Sequence, residues 1–260
     1  NKSSHPVRMR LSLFTACITA SSASLLCGVQ GARRLLRRPS VAMCSDGERL
    51  PLPPFLTPLW KEDAELVVSM TATRAALADR ERVIAVVYDI GGPINQLLSL
   101  SIQKPLPLSA HVSIRLYGKE IGYDGEVEVR PVEVMEEMMS GSPRVFLDLG
   151  PPKLSEAQLD ALVQRLTTEW TIATYNIFER NCNHFGAELA ALVASTPPPP
   201  ALFKPVCELT ENLLDALPPW RQQLGRAFMQ SFTVFAIVAW SWATKGKKDR
   251  LENSVERSVT

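Results

Sequence analysis

The 260-residue chain sets 28 Lys and Arg against 27 Asp and Glu, a net charge of +1 that offers no electrostatic argument for a nucleic-acid partner. Its apolar share of 46% is enough for a real core, and five cysteines without a C-x-x-C pair fit neither a disulfide framework nor a zinc ribbon. The folded part therefore reads as belonging to a reducing compartment.

Residues 1–45 hold seven Lys and Arg and no acid, the first being Asp46. Arg8 and Arg10 precede an apolar Ser/Ala/Thr-rich stretch from Leu11 to Val29, and Arg33-Arg34-Leu35-Leu36-Arg37-Arg38 follows it. This is the composition of a transit peptide or of a signal segment with basic flanks; a disordered basic tail is the alternative. The chain opens on Asn rather than Met, so residues ahead of it are expected. Cys17, Cys27 and Cys44 fall here and receive no chemistry.

Residues 46–81 read as a stiff linker (Leu50-Pro51-Leu52-Pro53-Pro54) and a modestly amphipathic helix from Trp60 to Arg80. The apolar run Val83 to Tyr88 predicts a buried strand, closed by Asp89 and Gly91-Gly92-Pro93. Residues 94–109 leave a short helix open, ended by Pro105 and Pro107. From Ala110 an alternation begins, with Val112, Ile114 and Leu116 on one face and His111, Ser113, Arg115 and Tyr117 on the other. Turns at Gly118-Lys119 and Asp124-Gly125 predict an antiparallel meander through Glu120–Tyr123 and Glu126–Val134. Arg144–Leu149 adds a strand. Ser155 and Gln158 predict a capping box, with Leu159, Leu162, Val163 and Leu166 as the apolar stripe behind it.

An extended segment, Thr174 to Phe178, leads into Asn181-Cys182-Asn183-His184-Phe185. Phe185, Leu189, Leu192 and Val193 then share one helix face, and Pro197–Pro200 ends that helix. A helix from Cys207 to Leu217 follows, and Pro218-Pro219 opens a longer one. Its segment Phe228–Ala243 is mostly apolar, between Arg221 and Arg226 on one side and Lys245, Lys247, Lys248 and Arg250 on the other. A spanning helix needs about 20 apolar residues, so this one is borderline; membrane association and a helix packed on the domain are both open readings.

The chemistry concentrates at Cys182. Asn181 is a good N-cap, which places Cys182 in the first helical turn, where backbone N–H groups and the helix dipole favour an anion such as a thiolate. His111, on the polar face of its strand, is the base that could reach it across a cleft; a hydrogen-bonded strand residue is the bland alternative. His184 lies on a different side of the helix from Cys182 and reads as a packing or capping residue. A zinc site drawn from Cys182, His184, His111 and Cys207 matches no usual finger spacing.

Val87-Tyr88-Asp89-Ile90, Ala110-His111-Val112-Ser113, Tyr117-Gly118-Lys119-Glu120, Tyr123-Asp124-Gly125, Leu149-Gly150, Tyr175 and Asn181-Cys182-Asn183-His184-Phe185 together resemble the PPPDE family of DeSI-like desumoylating isopeptidases. The resemblance covers about residues 82–205, a usual domain length. It implies an α+β, permuted papain-like cysteine peptidase fold, with a small antiparallel sheet or barrel packed against helices. The regions are then 1–45 (targeting-like or disordered), 46–81 (linker and helix), 82–205 (thiol hydrolase) and 206–260 (C-terminal helices). It also implies Cys182 as nucleophile and His111 as general base and acid, with no cofactor and no evident third residue. Its substrates would be conjugates of ubiquitin-like proteins, SUMO or ubiquitin type. A membrane thioesterase acting on palmitoylated cysteines and a non-catalytic module that binds ubiquitin-like proteins are the alternatives. The Pro-rich segment before His111 and Glu126-Val127-Glu128-Val129, which stands where relatives have a glycine-rich loop, depart from the family and bear on substrate choice. Location is expected to be cytoplasmic or membrane-associated, or organellar if residues 1–45 are a transit peptide. Oligomeric state is left open.

Overall fold

The computed structural model describes residues 47–50, 60, 63–89, 110–140, 142, 144–204, 206 and 218–259; in the last stretch side chains are described to 239 and at 241, 242 and 250. The expectations for 1–45, for the proline linker, for 94–109 and for a helix from Cys207 to Leu217 lie outside the described residues.

Five strands form one antiparallel sheet: β1 (Ile84–Asp89), β2 (Ala110–Leu116), β3 (Lys119–Tyr123), β4 (Val127–Pro131) and β5 (Arg144–Asp148). Their order is β4-β3-β2-β1-β5. The two outer strands do not pair with each other, so the sheet is open and the barrel alternative is not realised. Helices α1 (Ala64–Met70), α2 (Arg74–Ala78), α3 (Val132–Met138), α4 (Glu156–Glu169), α5 (Cys182–Val193) and α6 (Pro219–Val259) complete an α+β fold.

The continuous apolar run of β1 is explained by cover on both faces. Ala85 and Val87 join the main core with Val112, Ile114, Leu116, Phe185 and Leu189, whereas Ile84, Val86 and Tyr88 pack with Ala72 and Ala76 around α2. Strand β2 alternates in chemistry but not in exposure, because His111, Ser113 and Arg115 are buried along with their apolar neighbours. Buried polar groups need partners. Here the Glu120 carboxylate supplies them, accepting from the Tyr88 hydroxyl at 2.7 Å, the Ser113 hydroxyl at 2.5 Å and Arg115 Nε at 2.6 Å. Arg115 also donates to Glu136 at 3.0 Å. Tyr117 and Gly118, both at positive φ (55° and 74°), make the two-residue turn from β2 to β3. That turn fixes the register Leu116↔Lys119 and Ile114↔Ile121.

Three expectations are corrected. The single helix from Trp60 to Arg80 is two: between them Thr71 and Thr73 bridge to Leu147 and Arg49, and the Ala72 N–H donates to the Phe146 carbonyl at 2.9 Å. Sheet bonding there outcompetes a weak helical stripe, and Thr73 restarts the chain as the N-cap of α2. The strand expected to run to Val134 stops at Pro131. Val132–Met138 is helical, burying Val134 and Met135 and carrying Glu136 to Arg115. The segment from Thr174 to Phe178 is a turn, with Asn176 and Arg180 exchanging backbone hydrogen bonds and the Asn176 side chain accepting from the Phe178 N–H at 2.8 Å. The Ser155/Gln158 capping box and the stripe Leu159, Val163 and Leu166 are as expected. Among the described residues no helix is long and apolar enough to cross a membrane.

Helix α5 packs on β2 and β3. A Cβ at Gly186 would stand 2.7 Å from Val112 Cγ1, so only glycine permits the approach. Gly186→Ala is therefore expected to cost about 1–3 kcal/mol by overpacking, read from urea unfolding midpoints. Adding Val112→Ala should recover part of the loss; a Gly186→Ala protein as stable as wild type would contradict the close contact.

Candidate active site

Asn181 has extended backbone (φ −112°, ψ −175°) and caps α5: its Oδ1 accepts from the N–H groups of Asn183 at 2.9 Å and His184 at 3.2 Å. His184 Nδ1 faces the Asn181 N–H at 3.4 Å, completing the reciprocal box. His184 is thus a capping residue, as its spacing suggests. The cap occupies the second and third N–H groups of the helix and leaves the Cys182 N–H out of its pairing. Cys182, 8% exposed as a residue, opens the helix with its thiol 3.8 Å from Asn183 Oδ1.

An aromatic cluster sets the angle of this helix start. The Tyr123 ring meets Trp170 edge-on at 5.0 Å, Tyr175 at 5.5 Å and Phe185 at 5.8 Å, and Trp170 meets Phe185 at 5.2 Å. Such pairs contribute about 0.5–1.5 kcal/mol each beyond their buried area. Phe185 stands one turn after Cys182, so the cluster holds the Cys182 end of α5 against the end of β3. The Asn183 side chain donates to the Val206 carbonyl at 3.3 Å and secures the opposite side.

His111 is buried at the start of β2, opposite Tyr88 on β1 with the two rings 6.2 Å apart. Its Nε2 would be 3.4 Å from a Cβ at Gly122, so the ring lies against the bare backbone of β3. Its Nδ1 is 3.5 Å from Asp124 Oδ1, an ion-pair distance, and its side chain is close enough to Cys182 to interact with it electrostatically. The two residues singled out in the sequence are brought together. Burial pulls the imidazole towards its neutral form, but Asp124, Cys182 and Glu120 outweigh it and push the pKa up to about 10. Tyr175, also buried, has its phenol raised above the usual range, by burial first and then by negative charge at Cys182 and Asp124. It stays a proton donor at neutral pH.

Sequence reasoning missed Asp124 as a partner of the histidine. The signal was the hairpin register: extended past Ile114↔Ile121, it sets position 111 opposite position 124. It also missed Glu120, whose location two rows further along the same face is given by Arg115↔Glu120. His111, Ser113, Glu120, Gly122, Asp124 and Met135 line a small cleft there. Among the described residues no three His, Cys, Asp or Glu side chains are placed to hold a metal ion; Cys207 is outside them. A buried imidazole in electrostatic contact with a thiol at a helix N-terminus suits nucleophilic acyl transfer.

The raised pKa has a checkable sign. The folded value stands above the ordinary 6.5, so pairing stabilises the fold in full below about 6.5, and the gain is lost as pH rises through about 10. Imidazole C–H resonances should show His111 still protonated past neutrality, with Asp124→Asn lowering the midpoint. A midpoint at the ordinary value, indifferent to Asp124→Asn, would contradict the pairing.

Residues 81–210 match the family model of the PPPDE putative peptidase domain, half of the 260 residues, with Cys182, His111 and Asp124 all inside the match. The chain belongs to the PPPDE peptidase family, and its chemistry is that of a hydrolase.

Proposed function

We propose that this hydrolase is a cysteine isopeptidase, with residues 82–205 as its catalytic region. It cleaves the isopeptide bond between the C-terminus of a ubiquitin-like modifier, SUMO or ubiquitin type, and a lysine amine. Cys182 is the nucleophile and His111 the general base and acid. The observation that carries this reading is the electrostatic contact of the buried His111 with Cys182 at the start of α5.

The steps follow from that contact. His111 holds the proton of the Cys182 thiol, and the thiolate attacks the carbonyl carbon of the isopeptide bond. Negative charge develops on the carbonyl oxygen. The Cys182 N–H, left out of the cap, and the protonated Tyr175 hydroxyl are the donors suited to receive it; one such donor is worth about 3 kcal/mol in related acyl transfers. The C–N bond breaks as His111 returns its proton to the lysine amine, leaving a thioester on Cys182. His111 then takes a proton from water, whose oxygen attacks the thioester and releases the free carboxylate and the thiol. Asp124 is a positioning residue, keeping the imidazole turned towards the sulfur. A buried Cys182 favours a slender, extended acyl donor such as a modifier tail over a folded surface loop.

A second reading, hydrolysis of fatty-acyl thioesters on cysteines, shares every step except the leaving group. The exposed aromatic face of α6 favours it. It would release palmitate from a fluorogenic thioester.

Vinyl sulfone derivatives of ubiquitin and of SUMO separate these cases. At least one should label wild type covalently, Cys182→Ala should not be labelled, and His111→Ala should react about 100-fold or more slowly. Labelling that persists in Cys182→Ala would overturn the assignment. Palmitate release without labelling by either probe would favour the thioesterase.

A further inference from the structure

Helix α6 meets the domain along one face only. Its Gln230 donates to the Tyr175 carbonyl at 2.8 Å and accepts from the Ile177 N–H at 2.9 Å, and the Arg226 guanidinium lies 4.7 Å above the Phe178 ring. Val234 and Ile237 pack against the main core, Ile237 touching the turn at Gly125 beside Asp124. The opposite face is bare. Between Trp220 and Trp242, which are 68% and 80% exposed, Leu224, Phe228, Phe232 and Phe235 recur at steps of three or four residues and lie open to solvent. Such steps put them on one stripe.

We propose that this stripe lies in the plane of an anionic lipid surface, making α6 an interfacial anchor that does not cross the bilayer. Charge selects the occupant. From Pro219 to Lys248 the chain has five Lys and Arg and no Asp or Glu, which suits acidic headgroups. A second copy of the chain would oppose these cations with more of the same sign. The stripe begins and ends in tryptophan, the side chain that favours the boundary between headgroups and acyl chains. No described helix is apolar over a spanning length, so lying on the surface is what the stripe allows. Because the inner face of α6 grips Tyr175 and Gly125, anchoring would hold the Cys182–His111 cleft about one helix diameter, 10–12 Å, from the headgroups. The anchor is independent of which acyl bond is cut.

Flotation of the full chain with vesicles tests this. Wild type should partition onto phosphatidylserine–phosphatidylcholine vesicles more strongly than onto phosphatidylcholine alone, and less as salt rises. The triple variant Phe228→Ser/Phe232→Ser/Phe235→Ser should lose at least about tenfold in partitioning, and Trp220→Ser/Leu224→Ser should weaken it too. Both change exposed side chains and should keep the wild-type melting curve. Absence of wild-type binding, or a triple variant that binds like wild type, would overturn the proposal. So would a stripe-dependent dimer in sedimentation without vesicle binding.

Discussion

The helix that begins at Cys182 reaches the strand of His111 because residue 186 has no side chain. One turn after the cysteine, the α5 backbone comes close enough to Val112 that a single added carbon would sit inside van der Waals contact. Val112 is the chain neighbour of His111, so the distance between sulfur and imidazole is fixed by a packing contact between helix and sheet. The N-cap of Asn181 sets the direction of the helix start, and the ring cluster of Tyr123, Trp170 and Phe185 sets its tilt. Each is a local device. The closeness of α5 to β2 is what brings Cys182 and His111 together.

Beneath the imidazole runs a row of buried polar side chains. Glu120 takes three hydrogen bonds from Tyr88, Ser113 and Arg115. Hydrogen bonds to a charged group contribute about 1.5–3 kcal/mol each, while desolvating a carboxylate and a guanidinium costs several kcal/mol per ion. The two nearly cancel, so the row adds little net stability. It fixes three strands in one register, with negative charge on the side of the sheet that faces His111. Burial alone would leave that histidine neutral; Asp124 and the sulfur reverse the balance.

How much of this was legible in the sequence depended on how local the signal was. Asn181-Cys182, the Ser155 capping box and the apolar run of β1 are decided within a few residues, and each formed where the pattern put it. The alternation of β2 located His111 but misjudged its setting, since an alternating strand with a polar face usually shows that face to water, and here α2 and α3 cover it. Val132–Met138 reads equally well at strand or helix spacing; its helix is decided by Glu136 meeting an arginine twenty-one residues away, which no window contains. Asp124 was readable and overlooked, because a turn residue is seldom followed along the register of its own hairpin. The open sheet could not be foreseen, as nothing in β4 or β5 encodes whether the ends meet.

The proposed chemistry reduces to one imidazole acting on one sulfur, and alkylation of the sulfur reads that contact most directly. The rate of reaction of Cys182 with iodoacetamide should be high at neutral pH in wild type and fall at least about tenfold in His111→Gln, where the ring that supports the thiolate is gone. Equal rates in the two proteins, at equal folded fraction, would mean that the histidine does not act on the cysteine at all.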